Sequence, residues 1–262
     1  MPRAASLDAL RDRIRQLEQP ARHGVLPFGV AAIDAALPGG GLACGAMHEI
    51  LGAGGDEEDG AAAAGFIAGI LARLGPIGGM RAVLWCLRRP ELYGPGLLAH
   101  GLEPARLVVV VARRDDDVLW AVEEGLRAPG LAAVVGEVGR LPMVAGRRLQ
   151  LAAERSGVTL FLLRRWRDAA AAAAERARPS AAMTRWRVAA LPSADIENQP
   201  GIGRSRWRVD LVRCRGGVPA GWDVEVADAT GHVSLSAGLA DRPAAAQPVA
   251  ERSAIGPRRR AG

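Results

Sequence analysis

The residues best placed to do chemistry in this chain lie just after a short apolar run, Met47-His48-Glu49-Ile50-Leu51. That run ends in Gly52-Ala53-Gly54-Gly55-Asp56-Glu57-Glu58-Asp59-Gly60. A glycine-rich turn between a strand and a helix is the usual cradle for a phosphate. Its backbone N–H groups face the anion, a lysine reaches the terminal phosphates and a hydroxyl holds magnesium, in the pattern G-x-x-x-x-G-K-[ST]. Here Gly52, Gly54, Gly55 and Gly60 survive, but Ala61 and Ala62 follow, and the 34 basic residues of the chain are all arginine. Four carboxylates occupy the turn instead. At 6 Å each repels a phosphate charge by roughly 0.7 kcal/mol even in bulk water. They also take up the partial positive charge of a helix N-terminus. The turn therefore predicts no nucleotide hydrolysis, no metal and no cofactor, and leaves weak nucleotide binding without hydrolysis as an open alternative.

The remaining reactive residue types are sparse. Without lysine, Schiff-base chemistry is excluded. Cys44, Cys86 and Cys214 form no C-x-x-C pair, which argues for a reducing compartment. His23, His48, His100 and His232 have no metal-ligand spacing. The formal charge of +6 makes an acidic partner such as nucleic acid plausible. No apolar signal core opens the chain and no 18-residue apolar run occurs, so a cytoplasmic protein is expected, with no membrane partner.

The elements that would carry these residues alternate. Apolar runs at Met47–Leu51, Ala82–Leu87, Leu107–Val111, Leu131–Val135 and Val158–Leu163 read as buried strands. Helical stretches at Ala61–Leu74, up to Gly101, at Asp117–Leu126 and at Gly146–Ser156 separate them. Alternation of this kind marks a mostly parallel sheet covered on both faces. Ala169–Ala174 reads as helix or mobile loop. Arg185–Val188, Arg206–Leu211 and Trp222–Val226 read as an antiparallel extension of the sheet. Residues 1–20 are expected to hold an amphipathic helix, with Leu7, Leu10, Ile14 and Leu17 on one face as a docking surface for its own domain or for a partner. Residues 21–237 form the α/β domain, and 238–262 an Ala/Pro/Arg-rich disordered tail.

Phe28 to Leu42, with its Pro38-Gly39-Gly40-Gly41-Leu42 turn, followed by Gly45-Ala46-Met47-His48-Glu49-Ile50-Leu51-Gly52, resembles the entry to a RecA-like core. Within that superfamily the degenerate phosphate loop, Pro90-Glu91-Leu92-Tyr93 and the Arg-Trp-Arg strands resemble the ImuA family, the RecA-like members of bacterial inducible mutagenesis cassettes. The resemblance implies a metal-anchoring Asp at or near Gly136, beside Glu137, and a water-activating Glu where Arg88-Arg89-Pro90 stand, with Glu91 displaced. Both positions look empty, so no enzyme activity is expected.

Three Arg-Trp-Arg triplets surround Trp166, Trp186 and Trp207. On alternating strands the tryptophans line the core, and Arg185, Arg187, Arg206 and Arg208 share the outer face. That face is either a phosphate-binding surface or is ion-paired to Asp223 and Glu225 on the returning strand. Arg164, Arg165 and Arg167 follow the fifth strand, where the resemblance implies a DNA-binding loop, and are the expected contact with DNA or a partner. The family further implies, as partners in translesion synthesis, the inactive Y-family polymerase relative ImuB and an error-prone replicative-type polymerase. RecA and weakly bound single-stranded DNA are further candidates. An SOS cell-division inhibitor and an ATP-dependent recombinase paralogue are the alternative functions.

Overall fold

A computed structural model describes residues 23–54, 56–74, 81–128, 130–166, 169–193, 203–226 and 230–236. The expected helix carrying Leu7, Leu10, Ile14 and Leu17, and the tail from 238, lie outside the described residues. Val25–Leu26 (β1) and Leu42–Ala43 (β2) form a small antiparallel pair at the entry. The apolar runs then assemble one sheet: Met47–Gly52 (β3), Val83–Leu87 (β4), Leu107–Val111 (β5), Ala133–Val138 (β6) and Thr159–Arg164 (β7). It is extended by Thr184–Leu191 (β8), Arg206–Cys214 (β9), Ala220–Val226 (β10) and Val233–Leu235 (β11). The order is β11-β10-β9-β8-β3-β7-β6-β4-β5. From β8 to β5 the neighbours are parallel, and β8 to β11 are antiparallel.

Helices cover both faces, as continuous apolar strands require. The short Ala31–Asp34 (α1), the long Asp56–Arg73 (α2) and Gly94–Ala99 (α3) belong to one side. There Ile50, Trp85, Phe161 and Trp186 pack with Phe66, Ile67, Ile70 and Leu71 of α2. Asp115–Arg127 (α4) and Met143–Ser156 (α5) cover the other, where Met47, Val134, Leu160 and Leu162 meet Val118, Val122 and Leu149. Trp186 and Trp207 are buried in the first of these cores.

Two features differ from the sequence reading, and a third resolves between its alternatives. The helix expected from Ala61 begins at Asp56, so the acidic run is its first turn. Acidic residues suit the positive end of the helix dipole, and the Asp59 carboxylate accepts the Gly54 N–H just ahead of the helix, which outweighs Gly60 as a breaker. The Ala-rich stretch is helical, Ala169–Arg176 (α6), because its last turn is anchored by ion pairs described below. β5, expected to be buried, is the edge strand of the sheet and leaves Val108, Val109 and Val111 exposed.

One buried polar chain fixes the centre. Trp186 Nε1 donates to Thr184 Oγ1 (2.7 Å), which leaves the Thr184 hydroxyl to donate to His48 Nδ1 (2.7 Å). His48 Nε2 then donates to Ala43 O (2.8 Å). This pattern requires a neutral imidazole, and burial drives the His48 pKa from 6.5 down to about 4. The unfolded chain therefore takes up a proton that the folded chain refuses. Stability is unaffected above the unfolded pKa and falls as pH drops from about 6.5 to about 4, by about 3 kcal/mol in all. Urea unfolding across this range should show that loss, and His48→Gln should flatten it. An equal slope in the variant would contradict the assignment.

Candidate functional site

In open parallel sheets ligands bind at the carboxyl ends of the strands, and here that end is crowded with the chain's own charges. The turn after β3 is closed from within. Asp59 is buried, and its carboxylate accepts the Gly54 N–H at 2.5 Å and the Ala190 N–H of β8 at 2.8 Å. Arg176, at the end of α6, donates to Gly52 O and Gly54 O, each at 2.9 Å. Gly52 and Gly60 serve this closure. A Cβ at Gly52 would lie 2.9 Å from Asp59 Cβ, and one at Gly60 would lie 2.5 Å from Arg165 Nη1. Close backbone approach, the usual reason for glycine beside a phosphate, is here approach to side chains.

Arg165, just past β7, spans the site. Its Nη1 donates to Asp56 Oδ1 at 2.8 Å and its Nε to Glu137 Oε2 at 3.0 Å. The other Glu137 oxygen accepts Trp85 Nε1 at 2.8 Å. Four elements are thereby joined: α2, β7, β6 and β4. Burial works against the charge of Arg165, but Glu137 and Asp56 outweigh it and raise its pKa. The register question on β6 is settled sterically. A Cβ at Gly136 would fall 2.7 Å from Val122, inside the packed core, so Glu137 is the residue that faces the turn. Glu91 lies on the surface beside Arg89 at 3.4 Å and, with Asp56, Glu137 and Arg165, lines a small cavity of about 50 Å³.

A second cluster lies on the sheet face opposite α2. Glu49 is fully buried, with Oε1 accepting Ser180 Oγ (2.6 Å) and Oε2 accepting Arg185 Nε (2.9 Å). Arg164 approaches the same oxygen at 3.6 Å and donates to Glu175 (3.0 Å) and Gly139 O (2.8 Å). Burial lowers the Arg164 pKa against the pull of Glu49 and Glu175. Arg185 also holds the carbonyls of Arg176 and Arg178. Trp166 lies under the Arg164 guanidinium, 5.1 Å from its ring centre, and donates to Gly139 O.

The arginines expected to meet DNA or a partner are thus dispersed. Arg164 (4% exposed) and Arg185 (9%) are internal counter-ions, because α6 and the chain after it cover their end of the sheet. That corrects their placement on a contact surface. Arg165 is engaged in the turn, and Arg167 lies outside the described residues. Arg187 and Arg208 are exposed but paired, Arg187 to Asp210 (2.7 Å) and Arg208 to Asp210 (2.8 Å) and Asp223 (3.2 Å). Arg206 stands opposite Glu225 in register, and its buried Nε has no hydrogen-bond partner among the described residues. The outer face is an ion-paired ladder in which Asp210, not anticipated from the sequence, is shared by two arginines. Its position between Arg208 and a valine on an alternating strand was the available signal.

Among the described residues no group of three His, Cys, Asp or Glu is arranged to hold a metal ion. Burial raises all three cysteine pKa values, Cys86 to about 12 and Cys214 to about 11, so they are poor thiolates at neutral pH. No helix among the described residues is long and apolar enough to cross a membrane.

Fold and site together define an α/β protein whose phosphate-loop-like turn is occupied by its own carboxylates and arginines. No family model matches the chain. It is 44% identical over 210 residues to Protein ImuA of Caulobacter vibrioides strain NA1000 / CB15N, covering 79% of this chain and 85% of that protein. The same figures hold for Protein ImuA of C. vibrioides strain ATCC 19089. The chain belongs to the ImuA family.

If Arg165 holds the site together, Arg165→Met strands two half-buried carboxylates and should cost about 2 kcal/mol in urea unfolding. Arg208→Met, which breaks exposed pairs, should cost only about 0.5 kcal/mol. Equal losses would show that Arg165 is an ordinary surface arginine.

Proposed function

We propose that this chain is a RecA-like accessory protein of an inducible mutagenesis cassette, acting in translesion DNA synthesis by contact and not by nucleotide turnover. Membership of the ImuA family supports the pathway. The observation that carries the non-catalytic reading is the closed turn after β3. Asp59 takes a loop N–H that would face a phosphate, and Arg176 clamps the loop carbonyls. By the spacing of the sequence pattern, Ala61 and Ala62 follow the last glycine in place of a lysine and a metal-binding hydroxyl. Glu137, a carboxylate suited to anchor a metal or orient water, is committed to Arg165 and Trp85. A metal or a phosphate would have to displace an ion pair and two hydrogen bonds before binding.

The partners in this reading are ImuB, the inactive Y-family polymerase relative, and an error-prone replicative-type polymerase. RecA and single-stranded DNA are weaker contacts. A large folded core kept without catalytic residues supports a scaffold role. The purified chain should hydrolyse no ATP, with or without single-stranded DNA. Turnover that is abolished by Glu137→Ala or Glu91→Ala would overturn the non-catalytic reading. The tagged chain should capture the polymerase-type partners, and capture of a cell-division GTPase in their place would overturn the pathway.

A further inference from the structure

The nine-stranded sheet ends on one side in a strand built like an interior one. β5, Leu107-Val108-Val109-Val110-Val111, has no charge, proline or glycine. Val108, Val109 and Val111 are 50%, 47% and 55% exposed. Successive side chains point to opposite faces, so solvent reaches both faces of the strand. Among the described residues no strand pairs with its outer backbone edge. Ala112 donates its N–H to Leu87 O of β4 at 2.9 Å. By alternation Val108 and Val110 also turn toward β4, and Val109 and Val111 turn their N–H and C=O groups outward. Leu107 faces outward too, with its N–H taken by Pro104 O and its carbonyl turned to the edge. Natural sheets blunt such an edge with lysine, proline, a bulge or a covering segment. Among the described residues β5 has none of these.

The charges flanking the strand say what fits. Exposed Glu103 precedes it, and exposed Arg113 and Arg114 follow it. Glu103 and Arg113 have no ion-pair partner among the described residues, and Arg114 reaches only Asp117, at 3.7 Å. We propose that β5 pairs antiparallel with β5 of a second copy of this chain, about a two-fold axis through Val109. The two copies of Val109 exchange both of their outward hydrogen bonds. Each Val111 N–H meets the carbonyl of Leu107 in the other copy, the one outward group of Leu107 that its own turn leaves free. Each exposed valine face is continued by an identical valine face. This pairing also brings Glu103 of each copy to the end that carries Arg113 and Arg114 of the other. A parallel pairing would set arginines beside arginines and glutamate beside glutamate, which costs free energy. The result is an isologous dimer with one continuous sheet.

The test is the oligomeric state of the full chain by sedimentation equilibrium over a wide concentration range. A dimer is expected. Val109→Pro removes an N–H that faces away from β4, so the fold should survive while the edge is blocked. It should raise the dimer dissociation constant by about 100-fold or more, with an unchanged circular dichroism spectrum. Glu103→Arg alone, and Arg113→Glu with Arg114→Glu, should each weaken the dimer, and the combined charge swap should recover it. These charge variants lie outside the strand and keep the proposal testable should Val109→Pro fail to fold. A wild-type chain that stays monomeric throughout overturns the proposal. So does a dimer indifferent to both sets of variants. A dimer abolished by removing residues 1–22 yet retained in Val109→Pro assigns the contact to the N-terminal segment and also overturns it.

Discussion

The bridge from Arg165 to Asp56 and Glu137 is the contact on which the carboxyl end of the sheet depends. Parallel strands end with their side chains and loops facing one crevice, and in this chain the crevice receives carboxylates from α2 and β6. Two such groups cannot be buried near each other without a cation. Lysine is absent from the chain, and the planar fork of an arginine is well suited to hold two carboxylates at once. Arg165 reaches them from β7, and Trp85 takes the last Glu137 oxygen. The turn after β3, the end of β6 and the exit of β7 are fixed relative to one another by that one side chain.

The same logic repeats one layer away. Buried Glu49 is compensated by Arg185 and Arg164, and Arg164 in turn holds Glu175 of α6. Arg176, the next residue, closes the turn over Gly52 and Gly54. The segment after β7 and the turn after β3 are therefore parts of one hydrogen-bonded unit. In a nucleotide-driven protein these two would be expected to move against each other on binding and release. Here Asp56, Asp59, Glu137, Arg165 and Arg176 are each already bonded to a neighbour. Breaking either cluster strands a buried charge, which is far more costly than losing a surface pair.

Much of the fold was legible in the sequence. Continuous apolar strands alternating with helices are a strong pattern, and the core placement of Trp186 and Trp207 follows from simple alternation. The missing lysine and hydroxyl in the turn were equally plain. What sequence did not reveal is tertiary. That Arg164 and Arg185 are counter-ions depends on Glu49, more than a hundred residues earlier, being carried into the strand between theirs. That β5 is an edge depends on strand order, which a valine run cannot encode. The acidic run reads from sequence as repulsive to phosphate, and in the structure two of its members are structural: Asp59 caps the turn and Asp56 holds Arg165. The cations that balance them come from β7 and α6, which no local reading could place there.

If the turn after β3 is filled from within, the backbone amide resonances of Gly52, Gly54 and Gly60 report it when followed by NMR during titration with ATP and magnesium. The resonances should stay in place up to millimolar nucleotide. Saturable shifts of these amides, with release of Arg165 from Glu137, would contradict it.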